Sequence, residues 1–119
     1  MKMNNDTFTF TICYNCGKIL KKALESFFKY HPDVKVHVFG TAKDFKDVKE
    51  FSKNLEFIEL SGDDVLKQYY QSGHLGTAYI VTKVLKKEYG NYNKIIHFDS
   101  DVIFREECLS DIENGFNEG

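Results

Sequence analysis

The sequence predicts an α/β fold, a mostly parallel Rossmann-like sheet with helices on both faces. Three observations support this prediction. Short alternating or apolar segments typical of strands recur along the chain, segments of helical periodicity separate them, and Gly or Pro follows several of these segments. Strands that alternate with helices pair in parallel and are covered by those helices. The length of 119 residues is typical of a single domain.

The first half of the chain contains two predicted strands and one long predicted helix. Residues 7–13 alternate polar and apolar side chains, as a strand with one apolar face does. A helical pattern begins at Lys18 and ends before Pro32, because proline cannot continue the helix. Alternating valines then predict a second strand that ends at Gly40, and a polar loop or short helix follows it.

The second half repeats this alternation. The predicted elements are a strand over residues 55–60, a helix that begins with a capping box at Ser61, a helix over residues 75–89, a strand over residues 94–98 and a helix over residues 104–115. Gly73 and Gly76 are expected to separate the first two of these helices, and Gly90 to end the second. Because residues 94–98 are nearly all apolar, they are predicted to form a central strand covered on both faces.

Charge is distributed unevenly along the sequence. Residues 1–98 have a net charge of +4 and residues 99–119 a net charge of −6. No basic stripe stands out, so nucleic acid is not an expected partner. No apolar run approaches the ~20 residues of a transmembrane segment, and the first residues lack the apolar core of a signal peptide. The expected location is cytoplasmic, with any attachment at a membrane surface supplied by parts outside these 119 residues.

Two carboxylates follow the last predicted strand. Ligands of parallel sheets bind beyond the carboxyl ends of the strands, where the strand order reverses. Asp99 and Asp101 are two residues apart, so that both side chains lie on one face if the backbone stays extended. Such oxygen ligands suit Mg²⁺ or Mn²⁺, which also bind substrate phosphates. The alternative is an acidic loop in which one of these carboxylates caps the following helix.

Cys13 and Cys16 introduce the first helix with Cys-x-x-Cys spacing. A helix dipole acidifies a thiol at its N-terminus, so a thioredoxin-like thiol-disulfide oxidoreductase is one alternative function. Against it, Pro32 is the only proline and lies much earlier than the cis-proline of such proteins. A structural zinc site would need further ligands, and the paired spacing of a zinc finger is missing. The remaining interpretation is two small buried thiols in a reducing compartment.

Three further polar side chains fall near the same predicted edge of the sheet. Asn15 suits an N-cap of the first helix, and Tyr14 suits either stacking on a base or packing in a turn. His74 suits a phosphate contact, a cap or a solvated position. The sequence has no GxGxxG, no Walker-type glycine loop and no nucleophile-elbow serine, which excludes ordinary dinucleotide-binding, P-loop and serine-hydrolase functions.

Taken together, these motifs resemble the nucleotide-sugar half of a GT-A-fold glycosyltransferase. Residues 11–20 are similar to the first strand and helix of glycosyltransferase family 2, where a pair like Tyr14-Asn15 ends the strand. Residues 95–104 are similar to the apolar strand and Asp-x-Asp motif of that family and of family 8. Residues 73–78 take the place of the Gly- and Ala-containing helix that precedes the motif.

The resemblance implies a metal-dependent enzyme that transfers a hexose from a UDP- or GDP-sugar. Tyr14 would lie against the nucleobase, Asp99 would contact the ribose or a metal-bound water, and Asp101 would ligate the cation. The implied metal is Mn²⁺ or Mg²⁺, held by Asp99 and Asp101. The implied donor-binding residues are Thr11, Tyr14, Asn15, Asp44, His74 and Asp99.

Two departures from the family pattern change these expectations. The usual Asp-rich turn after the second strand retains only Asp44 as a base contact, and His74 is the substitute for an arginine often found before the motif. Only 18 residues follow Asp101, whereas the acceptor pocket and catalytic base of these enzymes lie beyond the motif. The chain is therefore expected to be the N-terminal, donor-binding part of a longer transferase, its acceptor unidentified. A non-catalytic nucleotide-binding domain is a further alternative.

Overall fold

The computed structural model describes residues 7–13, 16–59 and 73–106. Within them the chain forms an α/β fold with a four-stranded, all-parallel sheet. Its elements are the strands β1 (Thr7–Ile12), β2 (Val36–Gly40), β3 (Leu55–Glu59) and β4 (Lys94–His97), the helices α1 (Gly17–Tyr30), α2 (Ala42–Asp47) and α3 (Gly73–Leu85), and the 3-10 helix Lys49–Phe51. The bounds of β1, α1, β2 and β3 agree with the predicted ones to within two residues.

The sheet has the strand order β3-β2-β1-β4, and helices cover both of its faces. On one face, Leu24 of α1 and Val38 of β2 belong to one buried cluster. On the other face, Ile80 and Val84 of α3 pack in a second cluster with Phe8 of β1. This arrangement confirms the predicted fold class. None of the helices in the described ranges is long and apolar enough to cross a membrane.

β4 lies at an edge of the described sheet, so its predicted central position stays a prediction. Among the described residues it pairs with β1 alone. Ile95 and Ile96 are half-buried, each against the core of a different face, and His97 is exposed. An apolar run shows that both faces of a strand are covered, but it carries no information on whether both edges are paired.

α3 begins within two residues of its predicted start near Leu75. Gly76 lies inside the helix, so the expected interruption at Gly76 is wrong, whereas the segment before Gly73 lies outside the described residues. Gly76 is buried, at a helix-interior position where glycine costs roughly 1 kcal/mol relative to alanine. The helix also ends at Leu85, not at Gly90.

The end of α3 is built around a lysine in the left-handed region. Lys87 has φ of 63°, and its N–H donates to the carbonyl of Val84 (2.9 Å). The Glu88 N–H donates to the carbonyl of Lys83 (3.1 Å), which completes a Schellman motif. The Lys87 ammonium donates to the carbonyl of Tyr92 (2.7 Å), and this bond helps to hold a conformation that usually requires glycine.

Two predicted helices fall wholly or partly beyond the described ranges. The helix expected from Ser61 lies outside them. Of the helix expected over residues 104–115, only residues 104–106 are described, and these are not helical.

His37 is a buried polar residue in the core under α3. Its ring stacks on Phe8, with the ring centroids 4.0 Å apart. Its Nδ1 lies 3.3 Å from the carbonyl oxygen of Thr9, and its Nε2 lies 3.3 Å from a carboxylate oxygen of Glu56. Burial lowers the pKa of His37 and outweighs the opposing effect of Glu56. The fold therefore favours the neutral imidazole.

We expect this histidine to make the fold less stable in acid. Its pKa is lower in the folded than in the unfolded chain, so its neutral form contributes fully to stability above the unfolded value of about 6.5. This contribution falls as the pH drops through that value toward the folded pKa. His37→Phe keeps a stacking ring but cannot titrate. Urea titrations at pH 7.5 and 5.0 should show a smaller loss of unfolding free energy in the variant, and equal losses would contradict the assignment.

Candidate functional site

The strand order reverses between β1 and β4. β1 connects through α1 to β2 on one side, whereas β4 flanks β1 on the other. Ligands of open α/β sheets bind at such a switch point, beyond the carboxyl ends of the strands. Cys13 follows β1, and Phe98 follows β4 with its N–H donating to the Phe10 carbonyl (3.2 Å). We define the switch-point site as Cys13, Cys16 and residues 98–101.

Two segments distant in sequence touch across this site. The Cys16 Sγ lies 3.5 Å from the Ser100 Oγ, the hydroxyl of the middle residue of the Asp-x-Asp motif. The Cys16 Sγ also lies 2.8 Å from the Cys13 Sγ. The structure thus joins the start of α1 to the turn after β4. Ser100 is a site residue that the sequence pattern did not single out, although its position between two candidate ligands was a signal.

The two carboxylates lie in a turn, not on an extended strand. The Val102 N–H donates to the Asp99 carbonyl (3.2 Å), which closes a turn over residues 99–102. Both Asp99 and Asp101 are exposed. The extended backbone that would place both side chains on one face is therefore not present, because a turn follows β4. In the described part of the chain, no group of three or more His, Cys, Asp or Glu side chains could hold a metal ion.

Aromatic packing holds both ends of this turn. Phe98 is buried and stacks on Phe27 of α1 at a centroid distance of 5.3 Å. Phe104 meets the same ring edge-on at 5.1 Å, and the Phe104 N–H donates to the Ser26 Oγ (2.9 Å). α1 therefore positions the residues before and after segment 99–103, in which both carboxylates are exposed and Ser100 is half-buried.

Asp44 is a buried carboxylate that joins two helix N-termini. It is 1% exposed. One of its oxygens accepts from the backbone N–H groups of Cys16 (3.0 Å) and Gly17 (3.1 Å) at the start of α1. The other accepts from the N–H (3.3 Å) and hydroxyl (2.8 Å) of Thr41, the N-cap of α2. These four donors and two helix dipoles compensate the burial of a charge.

The bonds of Asp44 give it a structural role that the sequence analysis missed. Thr41-x-x-Asp44 has the spacing of a capping box, and this signal was available in the sequence. The hydrogen bond from the Cys16 N–H to Asp44 could not be predicted from a local sequence pattern, since Cys16 lies 28 positions earlier. Asp44 as a contact to a nucleobase stays a prediction, and in the structure its oxygens bind Thr41 and the start of α1.

The remaining predicted donor-binding residues differ in how far the structure describes them. Thr11 is fully buried on the α1 side of β1, and its hydroxyl has no hydrogen-bond partner within the described ranges. Tyr14 and Asn15 lie outside the described residues. His74 lies in the first turn of α3, and its side chain is not among those described. The roles of these four residues in donor binding stay predictions.

The thiol pair differs from the acidified pair that a helix N-terminus favours. The hydrogen bond with Cys16 and burial raise the pKa of the Cys13 thiol far above its usual range, and the charge of Asp44 raises it further. Since Asp44 already accepts from the first N–H groups of α1, the positive end of that helix is compensated before a thiolate forms. The structure therefore favours the protonated form of the Cys13 thiol.

Comparison of the chain with protein-family models and with curated proteins finds no match.

Proposed function

We propose that this chain is the nucleotide-sugar-binding domain of a metal-dependent glycosyltransferase that uses a UDP- or GDP-hexose. The observation that carries the proposal is the contact between Cys16 and Ser100, 3.5 Å apart across the switch point. This contact brings Cys16, which follows Tyr14 and Asn15 in sequence, next to the turn that carries Asp99 and Asp101. A base-binding segment and a phosphate-binding segment would then lie at one edge of the sheet, as a nucleoside diphosphate requires.

The carboxylates of the turn fit a hard divalent cation. Asp99 and Asp101 are exposed, and Mg²⁺ is typically held by one or two carboxylates together with water and substrate phosphates. A third protein ligand is therefore not needed. When bound, Mn²⁺ or Mg²⁺ supplies Lewis-acid stabilisation of the charge on the departing diphosphate. Phe98 and Phe104 position the turn against α1, so this segment is partly organised before ligand binds.

The start of α1 supports a cation-dependent mode of phosphate binding. Many α/β folds bind a diphosphate at the N-terminus of the first helix, through backbone N–H groups and the helix dipole. Here Asp44 already accepts from the N–H groups of Cys16 and Gly17. A diphosphate at this edge would also meet the negative charge of that carboxylate. A metal ion on the opposite turn supplies the positive charge that the helix does not.

The other roles in this proposal rest on the resemblance to glycosyltransferases. Tyr14 would stack on the base, Asn15 would contact the nucleoside, and His74 would approach a phosphate. Thr11 and Asp44 are both buried, so a direct contact from either to the nucleoside would require that these side chains become accessible. The domain would be the donor-binding part of a longer transferase, and its acceptor would be bound by segments beyond residue 119.

Thiol-disulfide exchange catalysis is less well supported. A catalytic thiol attacks as its thiolate and needs a pKa near or below the ambient pH. The pKa of Cys13 is raised by its bond to Cys16 and by burial. The pair also lacks the uncompensated helix N-terminus that would acidify Cys16, because Asp44 accepts there. These observations argue against catalysis by the thiol pair.

Calorimetric titration with UDP or GDP tests the proposal. We expect binding in the presence of Mn²⁺ and much weaker binding with a chelator, because the cation links the diphosphate to Asp99 and Asp101. Asp101→Ala should remove the metal-dependent part of the affinity. No binding of either nucleotide at millimolar concentration would overturn the proposal.

A matched variant separates ligation from a general change of charge. Glu106→Ala removes an exposed carboxylate five positions away and should leave metal-dependent binding unchanged. Equal losses in both variants would contradict Asp101 as a ligand. Metal-dependent nucleotide binding without hydrolysis or transfer of any UDP- or GDP-sugar would favour the non-catalytic alternative.

A further inference from the structure

The two cysteines of the switch-point site are placed for a covalent bond with each other. Their sulfur atoms lie 2.8 Å apart, and a disulfide bond is about 2.05 Å long. The sulfurs therefore need to approach by less than about 1 Å. They differ in access, since Cys13 is 1% exposed and Cys16 is half-buried. An oxidant can reach one thiol, and the other is in place to complete the reaction.

The backbone on either side of the pair is anchored. The Cys13 N–H donates to the Phe39 carbonyl (2.8 Å), which continues the β1–β2 ladder. The Cys16 N–H donates to Asp44 (3.0 Å), which fixes the start of α1. A bond between the two sulfurs would therefore restrain mainly the two residues between them, Tyr14 and Asn15.

We propose that Cys13 and Cys16 are a reversible oxidation site, whose disulfide weakens nucleotide binding at the switch-point site. The regulatory part rests on the proposed function, because Tyr14 and Asn15 are its base-binding residues. The Cys16 Sγ also contacts the Ser100 Oγ between the two candidate metal ligands. Movement of this sulfur toward Cys13 changes a contact of the Asp-x-Asp turn as well.

The reaction needs a low-molecular-weight disulfide, for which oxidised glutathione serves. The Cys16 thiolate attacks one sulfur of glutathione disulfide, forms a mixed disulfide and releases one glutathione thiolate, which takes up a proton. Cys13 then loses its proton to solvent and attacks the Cys16 Sγ, and the second glutathione leaves. Two protein thiols have lost two electrons and two protons, and one glutathione disulfide has become two glutathione molecules.

The chemistry of the pair suits a regulatory bond more than a catalyst. The raised pKa of Cys13 makes its thiolate scarce and the exchange slow near neutral pH. The reduced state therefore gains no stabilisation from a thiolate at Cys13. Once formed, the disulfide should therefore persist until reductant is restored.

Mass spectrometry of the full chain in glutathione redox buffers tests the site without any nucleotide. After acid quenching and alkylation, we expect the tryptic peptide with Cys13 and Cys16 to have lost two hydrogen atoms and to carry no alkyl group. Dithiothreitol should reverse the change. Cys13→Ser should instead accumulate a mixed disulfide of Cys16 with glutathione. Failure of the wild type to form the disulfide in fully oxidised buffer would overturn the proposal.

Titration with UDP and Mn²⁺ tests the regulatory part. The oxidised chain should bind on the order of tenfold or more weakly than the reduced chain, since small displacements of binding residues have effects of this size. The double variant Cys13→Ser, Cys16→Ser should bind equally under both conditions. Equal affinity of oxidised and reduced wild type would overturn the regulation alone. Absence of binding by the reduced chain would overturn the proposed function and the regulation with it, while disulfide formation would still be measured.

Discussion

Replacement of Asp44 by alanine should unfold this domain at markedly lower temperature. The carboxylate is 1% exposed and accepts four hydrogen bonds, two from the start of α1 and two from Thr41. Its removal leaves buried N–H groups without an acceptor, and each such group costs about 1–3 kcal/mol. We expect a loss of about 3–5 kcal/mol in the free energy of unfolding, which corresponds to roughly 10–20 °C in Tm.

Two further variants show whether the loss of stability comes from the missing hydrogen bonds of Asp44 or from the missing charge. Asp44→Asn keeps one carbonyl oxygen for the N–H groups of Cys16 and Gly17, but turns an amide donor toward the Thr41 N–H. Its loss of stability should be intermediate. Asp33→Ala removes an exposed carboxylate in the turn after α1 and should change stability by less than about 0.5 kcal/mol. If Asp44→Ala were as stable as Asp33→Ala, the structural role of Asp44 would be wrong.

Gly17 allows α1 and α2 to lie close enough for Asp44 to reach the start of α1. A Cβ atom on Gly17 would come within 2.9 Å of the Asp47 Cβ and 3.0 Å of the Asp44 carbonyl oxygen. Glycine at the first position of α1 lets the two helix starts approach, and this approach brings the Asp44 carboxylate within reach of the α1 N–H groups. In the loop after β2, the Asp44 carboxylate thus binds Thr41 and the start of α1.

The local elements of the fold could be predicted because their information is local. Alternation around Phe8 and Phe10 identifies β1, and helical spacing ended by Pro32 identifies α1. The end of α3 was misplaced because a lysine takes the left-handed position that glycine usually takes, and its bond to the Tyr92 carbonyl has no sequence signature. The position of β4 beside β1 could not be predicted, since strand order depends on pairing between distant segments.

In the candidate site too, local patterns could be predicted from the sequence and contacts between distant segments could not. The Asp-x-Asp motif and the Cys-x-x-Cys spacing are visible as local patterns at the ends of strands. Their contact joins residues 84 positions apart, through Cys16 and Ser100, and follows only from the strand order β1-β4. The direction of the Cys13 pKa was also not predictable, because it depends mainly on the hydrogen bond with Cys16 and on burial, both of which follow from the folded structure.

Phe27 links the stability of the core to the order of the Asp-x-Asp turn. Its ring is 1% exposed and contacts Phe98 and Phe104, the residues on either side of segment 99–103. Phe27→Ala should cost about 3–5 kcal/mol through the buried cavity. Phe28→Ala is the matched control, because the neighbouring ring is half-buried and faces Phe51 instead. Its loss of stability should be clearly smaller.

Hydrogen exchange distinguishes loss of order in the turn from loss of global stability. In the folded wild type, the amide of Phe104 is bonded to Ser26 and that of Val102 to the Asp99 carbonyl. In Phe27→Ala both amides should exchange at nearly unprotected rates, while amides of β2 keep the protection that the remaining global stability provides. If the amides of Val102 and Phe104 instead kept the same protection against exchange as the amides of β2, the turn would be ordered independently of Phe27. Loss of protection confined to this turn would show that α1 holds the two candidate metal ligands in position.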